Sequence, residues 1–231
     1  GGSGSGKSTL LKCLLGIQRP VSGSVKVLGV DMTRASARDL DKVYKRVGMV
    51  YQSGALFGSL TVADNVALPL REHTRPDDKI VDISVRMKLG LVGLSGFGDR
   101  SPSQLSGGQM KRVAFARAIS MDPQVLFCDE PSAGLDPRIG RGIDDLIRSL
   151  NKAFNMAVVV VTHEMESVRV IADRITMLAP KAGGGQVVFQ GTFDEMQACE
   201  DPVVKDFVQR APLSEPRRDA RESLRLLGGA E

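Results

Sequence analysis

The chain has 231 residues, 42% of them hydrophobic, and a net charge of only +4. That length buries a core in one or two domains, while so weak a basic balance, without a long Lys or Arg run, gives no case for a dedicated nucleic-acid surface. Cys13, Cys128 and Cys199 are too scattered for a zinc site or disulfide framework and read as reduced thiols, and no run reaches the ~18 apolar residues of a membrane span, so any membrane role is expected to come through a partner.

The chain opens on GGSGSGKST, residues 1–9, which fits the phosphate-loop pattern G-x-x-x-x-G-K-S/T. Glycines let several backbone N–H groups converge on one phosphate cluster, and Gly6 leads into a helix whose N-terminus favours anions. The candidate nucleotide-binding residues here are Gly1, Ser3, Gly4, Ser5, Gly6, Lys7, Ser8 and Thr9. Lys7 would reach the β- and γ-phosphates, and the Ser8 hydroxyl would ligate Mg²⁺. Leu10, Leu11, Leu14 and Leu15 follow at helical spacing, with a stop at Gly16.

Residues 24–30 read as a short strand or hairpin arm, 35–46 as helix and 47–51 as a short buried strand. Helices are expected over 61–73, disturbed at Pro69, and over 77–91, before Gly93, Gly96 and Gly98 break the chain. A further helix starts at Ser106 and runs to about 120. Residues 125–128 form an apolar strand ending in Asp129 and Glu130. An Asp at such a strand end helps hold magnesium, and a Glu after it can orient and deprotonate an attacking water. Helix over 139–154, buried strand over 157–161, helix over 165–172, strands over 174–178 and 186–190, and short helices over 193–199 and 202–210 complete the pattern. Strands alternating with helices indicate an α/β fold with a largely parallel sheet, into which the strand-free stretch from 61 to about 122 is inserted as a helical subdomain. Residues 211–231 carry four Arg and four acids and read as a partly disordered tail, with a short amphipathic helix over 220–227 as the minority reading.

Leu105-Ser106-Gly107-Gly108-Gln109 gives the chain a second helix N-terminus suited to phosphate. With this LSGGQ run the sequence resembles the nucleotide-binding subunits of ABC transporters over about residues 1–210. The resemblance implies a P-loop ATPase with a RecA-like core and a helical subdomain, binding ATP and Mg²⁺. It implies a head-to-tail homodimer, each ATP lying between the loop of one copy and Ser106, Gly107, Gly108 and Gln109 of the other. It assigns Gln52, after the strand at 47–51, as a magnesium- and permease-sensing glutamine, Asp136 within SAGLD as a residue at the dimer interface, and His163 as the switch histidine at the γ-phosphate. Lys7, Gln52, Glu130 and His163 are then the catalytic set, and Ser8, Gln52 and Asp129 the magnesium set. Non-transport ABC ATPases interrupt the motor with a long coiled coil, whereas Gln52 and Ser106 are only 54 positions apart here.

The stretch 52–74, QSGALFGSLTVADNVALPLREHT, resembles the ATPases of Mla/MCE-type lipid transport systems. It implies an MlaE-like integral permease, an MCE protein, an accessory regulatory subunit, and a place on the cytoplasmic side of the inner membrane, with no nucleic acid. An importer of amino acids or other small solutes stays open as the alternative. His73 is read as an insert-surface or permease-facing residue. The family places a β-rich segment and an adenine-stacking aromatic before the loop, so the chain is expected to be N-terminally truncated, to bind ATP more weakly for it, and to expose a sheet edge. Tyr51, expected on a buried strand, is not a substitute aromatic.

Overall fold

Three short, mostly apolar runs pair side by side. In this computed structural model, which describes residues 1–2, 4–74, 76–181 and 184–210 (Arg210 without its side chain), β3 (Val47–Val50), β4 (Val125–Asp129) and β5 (Ala157–Val161) form a parallel sheet in that order. Val47 lies opposite Val125, and Val125 opposite Ala157. Side chains alternate between faces, as a strand requires. Val50, Leu126, Cys128, Val158 and Val160 join one core, while Val47, Met49, Val125, Phe127, Val159 and Val161 join another with Leu11 of α1 (Lys7–Leu14) and Leu15 just past its end.

The first of these cores is the larger. Its helices are α3 (Val62–His73), α4 (Asp78–Leu91), α5 (Gly107–Ala118) and α6 (Pro137–Phe154), which contribute fully buried Val62, Val66, Phe115, Ile143 and Leu150. The helix starts are written locally: the Thr61 hydroxyl accepts from Asp64 N–H, and the Asp77 carboxylate from Lys79 N–H. Residues 61–122 hold no strand among those described. Contrary to the expected disturbance, α3 runs through Pro69 to His73. Its cap and the burial of Val62, Val66 and Ala67 hold the helix despite the N–H that proline lacks.

The remaining strands are antiparallel. β1 (Lys26–Val27) and β2 (Val30–Asp31) flank a two-residue turn with positive φ at Leu28 and Gly29. After α2 (Ala37–Tyr44) comes the parallel sheet, and after α7 (Met165–Ile171) comes a hairpin of β6 (Ile175–Lys181) and β7 (Gly184–Gly191), followed by α8 (Phe193–Gln197) and α9 (Pro202–Arg210). The parallel sheet thus has three strands among the described residues, and β1–β2 and β6–β7 form two separate antiparallel pairs. β5 pairs on one side only among the described residues and is half-buried, which corrects the expectation of a buried strand. Tyr51 is likewise corrected: it follows β3 and is 43% exposed. None of the helices of the described residues is long and apolar enough to cross a membrane. The tail 211–231, including the helix expected at 220–227, lies outside the described residues.

Candidate nucleotide site

The phosphate loop ends where Gly6 takes φ +88°, a left-handed conformation that a side chain would oppose, and α1 begins at Lys7. The loop braces itself: buried Ser5 donates its hydroxyl to the Gly2 carbonyl at 2.8 Å. Ser5 is therefore placed to offer a ligand its backbone rather than its hydroxyl. Lys7 Nζ donates to the carbonyls of Gly1 and Gly2 at 2.7 and 2.8 Å, which folds the ammonium over the loop. Ser3 lies outside the described residues.

A cleft of about 570 Å³ opens beside this loop. It gathers Gly4, Ser5, Gly6, Lys7, Ser8 and Thr9 with Gln52, Glu130 and His163, which come from four separate parts of the chain. β3 delivers Gln52, β4 delivers Glu130, and β5 delivers His163, because parallel strands present their C-terminal ends on one edge. Gly1 instead lines a neighbouring cavity between β5 and β6.

Glu130 has φ +46°, a strained conformation for a residue with a side chain. Its backbone N–H donates to the Val161 carbonyl at 2.8 Å, which fixes the turn against the end of β5. His163 Nδ1 then lies 2.9 Å from the Glu130 carboxylate. Next to it, the Asp129 carboxyl carries an oxygen that is buried without a hydrogen-bond partner. Burial first, and the neighbouring Glu130 charge second, push its pKa above the usual carboxylate value.

Three contacts escape a reading by motif. Lys111, on α5, donates to the Gln52 carbonyl and approaches the Glu130 carbonyl at 3.4 Å, and burial lowers its pKa. In sequence it is one of three cations on α5, beside Arg112 and Arg117, and nothing there singles it out. Phe207 of α9 lines the cleft from far along the chain and left no signal. Ser132 donates to the Glu164 carboxylate at 3.0 Å, a pairing visible only in three dimensions.

The LSGGQ residues stand apart from this cleft. Ser106 caps α5 by accepting from Gln109 N–H, while the Gln109 side chain accepts from Ser106 N–H at 2.9 Å. Each side chain thus holds the other residue's backbone N–H and leaves Gly107 and Gly108 to head the helix. Asp136 caps α6, accepting from Arg138 N–H at 2.8 Å, and is exposed. Neither group lines the cleft of its own chain. His73 ends α3, 3.8 Å from the Asp41 carboxylate, and does not line the cleft either.

Residues 1–133 match the family model described as ABC transporter. The chain is 42% identical over 209 residues to the intermembrane phospholipid transport system ATP-binding protein MlaF of Haemophilus influenzae, covering 90% of this chain and 78% of that protein. It is 40% identical over 232 residues to the methionine import ATP-binding protein MetN of Geobacillus kaustophilus, covering 99% and 65%. It is 39% identical over 208 residues to the "Probable ribonucleotide transport ATP-binding protein mkl" of Mycobacterium tuberculosis, covering 90% of this chain and 57% of that protein, so it spans little more than half the mycobacterial relative's length. Its fold matches the dimeric ADP- and phosphate-bound ATP-binding cassette MJ0796 with a TM-score of 0.73 at 33% identity, over 83% of this chain and 82% of that one. With its phosphate loop, LSGGQ helix and strand-end acids arranged in this way, the chain belongs to the ABC transporter family, as one of its ATP-binding domains.

Proposed function

We propose that this chain is the ATP-binding and ATP-hydrolysing subunit of a transporter, working as a homodimer with two ATP molecules between its copies. The observation that carries this reading is the single cleft that unites the phosphate loop with Gln52, Glu130 and His163. ATP replaces the loop carbonyls as the partner of Lys7. Lys7, Gln52 and His163 of one copy hold the γ-phosphate, and Ser106, Gly107, Gly108 and Gln109 of the other close over it, with Asp136 at the same interface. The location of the LSGGQ helix off its own cleft supports this division between copies. Glu130 takes the proton of an in-line water, and His163 keeps the Glu130 carboxylate oriented toward it.

Ser8, Gln52 and Asp129 would hold Mg²⁺. They offer oxygen donors, which suit a hard cation, and the unpartnered buried oxygen of Asp129 is an acceptor lacking a donor. Among the described residues no three His, Cys, Asp or Glu gather as a metal cluster, so phosphate and water would supply much of the shell. When bound, the ion would neutralise phosphate charge.

The cargo is proposed to be phospholipid or another lipid. The MlaF relative and the stretch 52–74, which starts at Gln52, support it. On this reading residues 1–210 form the ATPase domain, with 61–122 as its helical subdomain. The chain sits on the cytoplasmic face of the inner membrane against an MlaE-like permease, with an MCE protein and an accessory subunit. A second reading, an amino-acid importer, is favoured by the MetN match over 99% of the chain. Isolating the assembled complex and identifying its permease and bound lipid by mass spectrometry separates them. A lipid-loaded MCE protein supports the first, and an amino-acid permease without it overturns it.

A further inference from the structure

Two segments of the chain run alongside each other and are joined at four levels. Glu130 N–H meets the Val161 carbonyl at 2.8 Å, and the Glu130 carboxylate meets His163 at 2.9 Å. Beyond them, the Ser132 hydroxyl donates to the Glu164 carboxylate at 3.0 Å. Farthest out, the Ser167 hydroxyl of α7 donates to the Asp144 carboxylate of α6 at 2.9 Å, both residues being buried. The rungs follow in chain order, 130 with 161 and 163, 132 with 164, and 144 with 167.

The innermost side-chain rung is exposed on one side, since the His163 side chain is 56% accessible while that of Glu130 is 12%. Packing alone does not fix an imidazole that open. His163 has Glu164 as its immediate neighbour, and Glu164 is tied to buried Ser132, which is two residues from Glu130. Thr162 adds a second restraint, its hydroxyl accepting from Glu164 N–H at 3.0 Å. The Ser132–Glu164 bond therefore sets the spacing between the two loops that carry Glu130 and His163.

We propose that Ser132 and Glu164 are positioning residues that hold the Glu130–His163 pair in register, with the Asp144–Ser167 rung anchoring the helices behind them. The proposal rests on the reading of Glu130 and His163 as the hydrolytic pair. A single hydrogen bond that acts only through geometry is worth about fivefold in turnover. Ser132→Ala and Glu164→Ala are each expected to lower kcat by about that factor with KM for ATP unchanged. Because they remove the same bond, the double variant should be no slower than either single one. Glu164→Gln, whose amide carbonyl still accepts from Ser132, should recover most of the loss.

The chain has two histidines, so ring proton resonances offer a readout independent of turnover. The His163 resonance should move or broaden in Ser132→Ala and Glu164→Ala and return toward its original position in Glu164→Gln, while His73 stays in place. The test is steady-state ATPase kinetics and these spectra on the dimeric protein, with its unfolding midpoint as a control. Losses that multiply in the double variant, an unmoved His163 resonance, or an equal loss when His163 is already Ala overturn the proposal. If the wild type turns over no ATP, the hydrolytic reading fails instead. If the wild type and His163→Ala differ while Ser132→Ala matches the wild type, only this proposal fails.

Discussion

The Glu130 carboxylate lies 2.9 Å from His163 Nδ1, although the two residues are 33 positions apart and follow different strands. Their meeting is a consequence of register: Asp129 stands opposite Val161 in the parallel sheet, so the residues just past each strand end share one edge. Chemistry that needs a base and an oriented imidazole is then available beside a loop built for phosphate.

Glu130→Gln keeps the size of the side chain and removes the carboxylate proposed as the base. Turnover of ATP is expected to fall by about 10²- to 10⁴-fold, as loss of a general base does, while ATP affinity stays within about threefold. Phosphate release under saturating ATP, with equilibrium binding measured in parallel, checks both. Turnover at the wild-type rate would remove Glu130 from the role of base.

Lys7→Ala removes the side-chain ammonium folded over the loop. A hydrogen bond to a charged group is worth about 1.5–3 kcal/mol, so ATP should bind about 10- to 100-fold more weakly. Calorimetric titration with ATP reads this directly, and adenosine, which has no phosphate, should show no difference between the two proteins.

Asp144 has its pKa pushed up to about 6, chiefly by burial, with the Ser167 hydrogen bond opposing and Glu164, Asp145 and Glu166 adding to the rise. A carboxyl that binds its proton more tightly when folded favours folding at low pH. That contribution is present below about pH 4 and is lost as pH rises through about 6. Asp144→Asn should therefore match the wild type near pH 4. Near pH 8 it should be more stable by about 1–2 kcal/mol, with solvent screening allowed for. Denaturant unfolding at the two pH values checks the sign.

Gly48 on β3 sits under α5. A Cβ there would lie 2.4 Å from the Ala118 carbonyl oxygen and 2.9 Å from Leu126 Cδ1. Gly48→Ala must push the strand and the LSGGQ helix apart, at a cost of about 1–3 kcal/mol. Thermal unfolding should show a lowered midpoint, and because α5 also carries Lys111 against the Gln52 carbonyl, ATPase activity should drop with it.

Much of the cleft could be read from the chain because its parts are local runs. Lys7 and Ser8 are adjacent because a helix start must present both, and Asp129 and Glu130 are adjacent because one strand end delivers both. Helix starts were equally legible, since Ser36, Thr61, Asp77 and Ser106 each accept a backbone hydrogen bond within the next three residues. What stayed hidden depends on packing between distant segments. Ser132 and Glu164 are ordinary polar residues until the sheet sets them 3.0 Å apart. Phe207 reads as one more apolar residue of a short helix until α9 folds back beside the loop. Pro69 and Tyr51 misled for the same reason. Burial of neighbouring valines carries α3 through the proline, and the turn after β3 exposes the tyrosine although the strand before it is apolar.

The central claim is that two copies of this chain close around ATP and that Glu130 then drives hydrolysis. Sedimentation of the Glu130→Gln variant with and without Mg²⁺ and ATP tests it most directly. A monomer that becomes a dimer only with ATP, and that fails to do so when Ser106 is also changed to Arg to obstruct the LSGGQ helix start, is the result this account predicts. A variant that binds ATP tightly yet stays monomeric at every ATP concentration would contradict it.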